Sequence, residues 1–61
     1  MGNYVVIGKH SFGENYVPLF HTEAKTEAEG VKKCVEFIRG YRAGSKKVEF
    51  KIKDQATGEE V

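Results

Sequence analysis

Tyr16-Val17-Pro18-Leu19-Phe20-His21 is a run of aromatic, β-branched and aliphatic side chains with a proline in its third position. The composition predicts an extended strand. Pro18 has no N–H to give to a ladder, so that strand belongs at the edge of a sheet. Upstream, residues 3–10 (Asn-Tyr-Val-Val-Ile-Gly-Lys-His) are the most apolar extended stretch of the chain, and the loop-forming string Ser11-Phe12-Gly13-Glu14-Asn15 separates the two. A connection of about five residues predicts an antiparallel hairpin.

Downstream, Thr26-Glu27-Ala28-Glu29 has the Ser/Thr-x-x-Glu form of a capping box, in which hydroxyl and carboxylate satisfy the orphan amides of a first helical turn. At 100° per residue, Ala28, Val31, Cys34, Val35, Ile38 and Tyr41 fall on one stripe, with Glu29, Lys33, Glu36 and Gly40 opposite. The helix is therefore expected to lie on a surface. Glu29 and Lys33 are spaced to pair, Arg39 and Arg42 suit the negative end of the helix dipole, and Gly44 is placed to stop it. From Lys46 the period becomes two: Val48, Phe50 and Ile52 alternate with Lys47, Glu49, Lys51 and Lys53, which predicts a third strand. Residues 54–61 read as a turn with Gly58 in a left-handed conformation, followed by a short return strand or a frayed tail at Glu60-Val61.

Strand, strand, helix, strand over 61 residues is a single α+β domain of β-β-α-β layout, one three-stranded sheet with one helix packed on one face. A right-handed crossover through the helix makes strands two and three parallel and leaves a place for strand one between them, giving the order 2-1-3. A meander order 1-2-3 would put Pro18 in the middle of the sheet. The helix covers one sheet face with Val48, Phe50 and Ile52 beneath it, and Val5 with Ile7 and Val17 with Leu19 are the aliphatic sets available to join them. The other face then carries Tyr4, Val6, Tyr16, Pro18 and Phe20 beside the lysines of strand three, which is more apolar than a solvated face usually is. With the registers reversed, Val17 and Leu19 are the exposed set instead.

Ten Lys plus Arg against nine Asp plus Glu leave a net charge of +1, which excludes a strongly basic nucleic-acid coat and an acidic DNA mimic. The longest apolar run, Val5-Val6-Ile7, is far short of the roughly 20 residues that span a bilayer, and the N-terminus lacks a signal-peptide layout, so a cytoplasmic location is expected. Gly8-Lys9-His10-Ser11-Phe12-Gly13 has the wrong order for a phosphate loop and precedes a strand rather than a helix. His10 and His21 are placed to approach across the hairpin, but no further ligands complete a metal set. The single cysteine, Cys34, falls within the apolar stripe and reads as a small core residue. No residue set supports catalysis, and neither a metal nor a cofactor is expected.

The layout of Tyr4-Val5-Val6-Ile7, Thr26-Glu27-Ala28-Glu29, Val48-Glu49-Phe50-Lys51-Ile52 and Ala56-Thr57-Gly58-Glu59 resembles that of many small accessory proteins encoded by bacteriophages. That resemblance implies a non-catalytic protein of the infected bacterial cytoplasm that binds and redirects a host protein; it carries no site residues with it. The same plan looks like the arm-type DNA-binding domains of integrases, which present a basic sheet, and Glu49 departs from that pattern. Two function classes follow. In a protein-docking module, Tyr4, Phe12, Tyr16 and Phe20 are the anchors and Lys47, Lys51 and Lys53 steer approach, with a second copy of the chain as another partner for the open face. In a nucleic-acid binder, the same rings take bases and the same lysines take phosphates. The neutral balance favours protein. In thermal melts, Ile38→Ala is expected to cost about 2–5 kcal/mol and Lys33→Ala almost nothing; equally mild effects would show that the stripe does not face the sheet.

Overall fold

A computed structural model of the chain describes residues 2–10, 13–43 and 48–61. The described residues form β1 (Gly2–His10), β2 (Val17–Ala24), α1 (Glu27–Ala43) and β3 (Val48–Asp54), in a three-stranded sheet of order β2-β1-β3. β1 runs antiparallel to both neighbours, so β2 and β3 are parallel and α1 is the crossover between them. The edge position of β2 agrees with Pro18. β2 extends three residues beyond His21, to Ala24, because Thr22, Glu23 and Ala24 pair with Tyr4, Asn3 and Gly2. The expected helix stop Gly44 lies outside the described residues.

The helix begins where its first turn predicts, on the hydroxyl half of the capping box. The backbone N–H of Glu29 donates to Thr26 Oγ1 at 3.2 Å and that of Gly30 to the Thr26 carbonyl at 3.0 Å. The Glu29 carboxylate lies 3.8 Å from Lys33 Nζ, the i,i+4 pair expected on the wet side. Lys33 Nζ also donates to the Glu23 carbonyl at 3.3 Å, tying the helix flank to β2.

On β3 the expected set, Val48, Phe50 and Ile52, meets the helix, but on β1 the face that meets it is the reverse of the first expectation. Tyr4, Val6 and Gly8 of β1 point toward α1, opposite Asp54, Ile52 and Phe50 of β3. Tyr4 (5% exposed), Val6 (0%), Ala24 and Cys34 (0%) make the buried centre, with Phe20, Phe37, Ile38, Phe50 and Ile52 packed around it. Tyr4 and Phe20 are therefore core residues and not members of an exposed aromatic platform, whereas Val5 and Ile7 lie on the open face. A β-bulge between Val6 and Ile7 decides the fate of β2. Val6 pairs with Phe20 and Ile7 with Pro18, so Leu19 is an extra residue whose Cδ1 reaches over Gly8 on the helix side. Both apolar residues of the bulge thus go inward, which a strictly alternating strand could not arrange.

Shape, not hydrophobicity, makes this choice, because both β1 sets are apolar. The Tyr4 ring needs a hollow in the helix surface, and Gly30 supplies it. A Cβ at Gly30 would stand 2.5 Å from Cε2 and 2.9 Å from Cγ of Tyr4, and nearer still to Cδ2. The helix is turned accordingly. Gly30, Cys34, Phe37, Ile38 and Tyr41 face the sheet, Phe37 joins the stripe, and Ala28 is exposed. Rings then run across the layer: Phe20 stacks on Phe37 (centroids 4.7 Å, 12°), Phe37 tilts against Tyr41 (5.7 Å), and Tyr41 meets Phe50 edge-on (5.5 Å, 81°). Burial pushes the Cys34 thiol up, as befits a small core side chain.

The last residues form the expected turn and return. Asp54 Oδ1 accepts the Ala56 N–H (2.9 Å), the Asp54 carbonyl accepts that of Gly58 (2.7 Å), and Gly58 has φ +76°. Glu60 bridges Lys53 across the outer edge of β3.

Two glycines of the same helix give opposite expectations. Gly30→Ala gains helix propensity but overpacks the Tyr4 ring, for a net loss of about 1–3 kcal/mol. Gly40, with open space where its Cβ would be, is expected to gain about 0.5–1 kcal/mol on the same change. Paired thermal melts check both, and a stabilised Gly30→Ala would show that the helix does not sit on the Tyr4 ring.

Candidate functional site

Period-two alternation sends the remaining β1 side chains, Asn3, Val5, Ile7 and Lys9, to the face without a helix. Across β3 they meet Lys53, Lys51 and Glu49, and across β2 they meet Glu23, His21 and Pro18. The face is thus an aliphatic pair, Val5 and Ile7, both partly buried, framed by charged and polar residues.

Tyr16, just before β2, spans this frame. Its hydroxyl donates to Glu49 Oε2 on the far strand at 3.0 Å. Lys51 Nζ stands 5.0 Å and Lys9 Nζ 5.4 Å from its ring centroid, within cation–π range. Lys9 Nζ is also 4.0 Å from Glu49 Oε2, and Lys51 Nζ is 3.8 Å from Glu60 Oε1. One aromatic ring is therefore held by groups from β1 and β3, with Glu60 paired to one of them, Lys51. The hydrogen bond to Glu49 pushes the Tyr16 phenol up, burial adds to it, and the Lys51 ammonium works against it. The Tyr4 phenol is raised too, first by burial and then by the Asp54 and Glu27 carboxylates.

Of the residues singled out from the sequence, Tyr16, Lys51 and Lys53 share the open face. Tyr4 and Phe20 do not, for the packing reasons above, and Phe12 and Lys47 lie outside the described residues. His10 pairs with Val48 on the helix side and His21 with Val5 on the open side, so the sheet separates the two histidines. Among the described residues no group of three or more His, Cys, Asp or Glu could hold a metal, and no charged side chain is buried. No described helix is long and apolar enough to cross a membrane. Sequence reading missed Lys9, Val5 and Ile7 as members of this face. The signal was present in their period-two spacing, but its phase was not. Glu49, which interrupts the lysines of β3, is the group on which the Tyr16 arrangement closes.

No protein-family model matches the chain, and no match is found among curated proteins or solved structures.

Both raised phenols stabilise the fold in their neutral form. Their contribution is complete below the unfolded value near 10 and is lost as pH rises through the higher folded values. Melting temperature is expected to fall above about pH 10 and to fall less in Tyr16→Phe, which has no phenol to ionise there. Equal alkaline losses in the two proteins would show that Glu49 does not hold the Tyr16 hydroxyl.

Proposed function

We propose that the chain is a non-catalytic protein-interaction module that docks a partner protein through the open face of its sheet. The observation that carries this reading is the Tyr16 ring, braced by Lys9, Lys51 and Glu49 on the face that bears Val5 and Ile7. A ring already held in place gives up little conformational freedom on binding, and an aromatic with mixed charges around an aliphatic pair is the composition of an interface centre and rim. The resemblance to small bacteriophage-encoded accessory proteins extends the reading: the partner is a host bacterial protein whose surface is covered and whose activity is thereby changed. The site is Tyr16 with Val5, Ile7, Lys9, Lys51 and Lys53.

Nucleic acid is disfavoured by the same geometry. With Tyr4 and Phe20 in the core, one ring of the imagined stacking platform remains on this face among the described residues, and two ammonium groups already approach it. Lys9 and Lys51 are matched by Glu49 and Glu60, carboxylates that repel a phosphate run.

Partners captured from bacterial lysate are expected to survive nuclease treatment. Tyr16→Ala is expected to weaken the captured complex by tenfold or more, as a central anchor does. Gln at Lys51 and Lys53 is expected chiefly to slow association. Titration with short labelled DNA and RNA at low salt decides against the reading if binding is micromolar and log K falls by about 0.9 per log unit of salt for each phosphate neutralised.

A further inference from the structure

The two edges of the sheet are treated differently. Pro18 sits in β2, at one edge, while the outer edge of β3 carries the return segment, residues 59–61. The Asp54 N–H donates to the Glu59 carbonyl (2.9 Å), the Val61 N–H donates to the Ile52 carbonyl (2.9 Å), and Glu60 bridges Lys53 in antiparallel sense. Glu60 Oε1 adds the 3.8 Å pair with Lys51. The segment folds back through Gly58, whose φ of +76° strains any other residue, and Thr57 Oγ1 steadies it by accepting the Glu59 N–H at 3.1 Å. These few contacts satisfy outward backbone groups that otherwise form a template for another strand.

We propose that residues 59–61 are a displaceable cover on the β3 edge, and that the occupant of the uncovered edge is a second copy of this chain, paired β3 to β3 in antiparallel sense. The argument for a second copy is charge complementarity. A two-fold axis through Lys51 brings Glu49 of each copy opposite Lys53 of the other, twice, with both helices on the same side of a continuous sheet. Among the described residues the partners of Glu49 are Tyr16 and Lys9, both through Oε2, which leaves Oε1 to accept from the incoming Lys53. The repulsive element is Lys51 against Lys51 at the axis. In the single chain Glu60 of the cover neutralises that lysine, so displacing the cover removes this partner and leaves Lys51 to face its twin. The backbone edge of β3 is distinct from the open face proposed for partner docking, although Glu49, Lys51 and Lys53 serve both. Sedimentation of the chain alone reads the edge and partner capture reads the face, so either reading can fail without the other.

The test uses the full chain in sedimentation at micromolar concentration. The unchanged protein is expected to be a monomer. Gly58→Val with Val61→Pro, which strains the turn and removes the donor to Ile52, is expected to free the cover, lose hydrogen-exchange protection at the Asp54 amide, and shift toward a dimer. In that background Glu49→Lys or Lys53→Glu alone returns the monomer, the two together restore the dimer, and Lys51→Gln strengthens it. Glu60→Lys in the otherwise unchanged chain is the milder arm, expected to give partial dimer with the helix content intact by circular dichroism. That arm decides if the double variant does not fold. A double variant that is folded and monomeric, protection at Asp54 that survives the double change, or association indifferent to the charge swap would each overturn the proposal.

Discussion

The contact on which the molecule depends is the Tyr4 ring against the backbone of α1 at Gly30. A tyrosine on the central strand is a large object to place beneath a helix, and an ordinary residue at position 30 would hold the two layers apart. With hydrogen in place of a side chain, the helix settles onto the ring. Cys34 then reaches full burial and Phe37 comes into stacking distance of Phe20. Glycine inside a helix costs about 1 kcal/mol relative to alanine. At position 30 that cost is offset by closer packing of the whole layer. At Gly40, where nothing is near, no packing gain offsets it.

From that contact the rest of the sheet follows. Tyr4 pointing inward forces Val6 and Gly8 inward and sends Val5, Ile7 and Lys9 to the other face, since neighbouring side chains on a strand alternate. β2 escapes strict alternation through its bulge, which lets Leu19 and Phe20 both serve the helix side. The open face retains a small aliphatic centre, and the long side chains of Lys9, Lys51 and Tyr16 lie around it. Aliphatic stems shield while charged heads reach water or carboxylates. That economy suits a domain of this size, where a single thin core carries most of the stability.

Much of the architecture is legible in the residues. Pro18 marks an edge strand, the apolar run of residues 3–10 marks the centre, Thr26 and Glu29 mark a helix start, and the alternation from Val48 marks the other edge. Gly58 is recognisable as a left-handed turn residue because the polar string around it has no other use. These signals are local. Each rests on a backbone constraint or a period that a few neighbouring residues set by themselves.

What the chain alone leaves open is phase. Val5 with Ile7 and Tyr4 with Val6 are equally apolar, so their spacing says that one set is inward without saying which. The answer lies 26 residues away, at a glycine whose meaning appears only once a ring is set against it. The membership of the open face depends on that same choice, and so does the reversal of Tyr4 and Phe20 from surface candidates to core. The sequence by itself determined the elements, their order and the edge positions, because these follow from short-range sterics and hydrogen bonding. Only the tertiary structure decided which face of the sheet is covered and how Tyr16, Lys9, Lys51 and Glu49 converge, because complementary shape and cross-strand charge pairing exist only between residues that folding brings together.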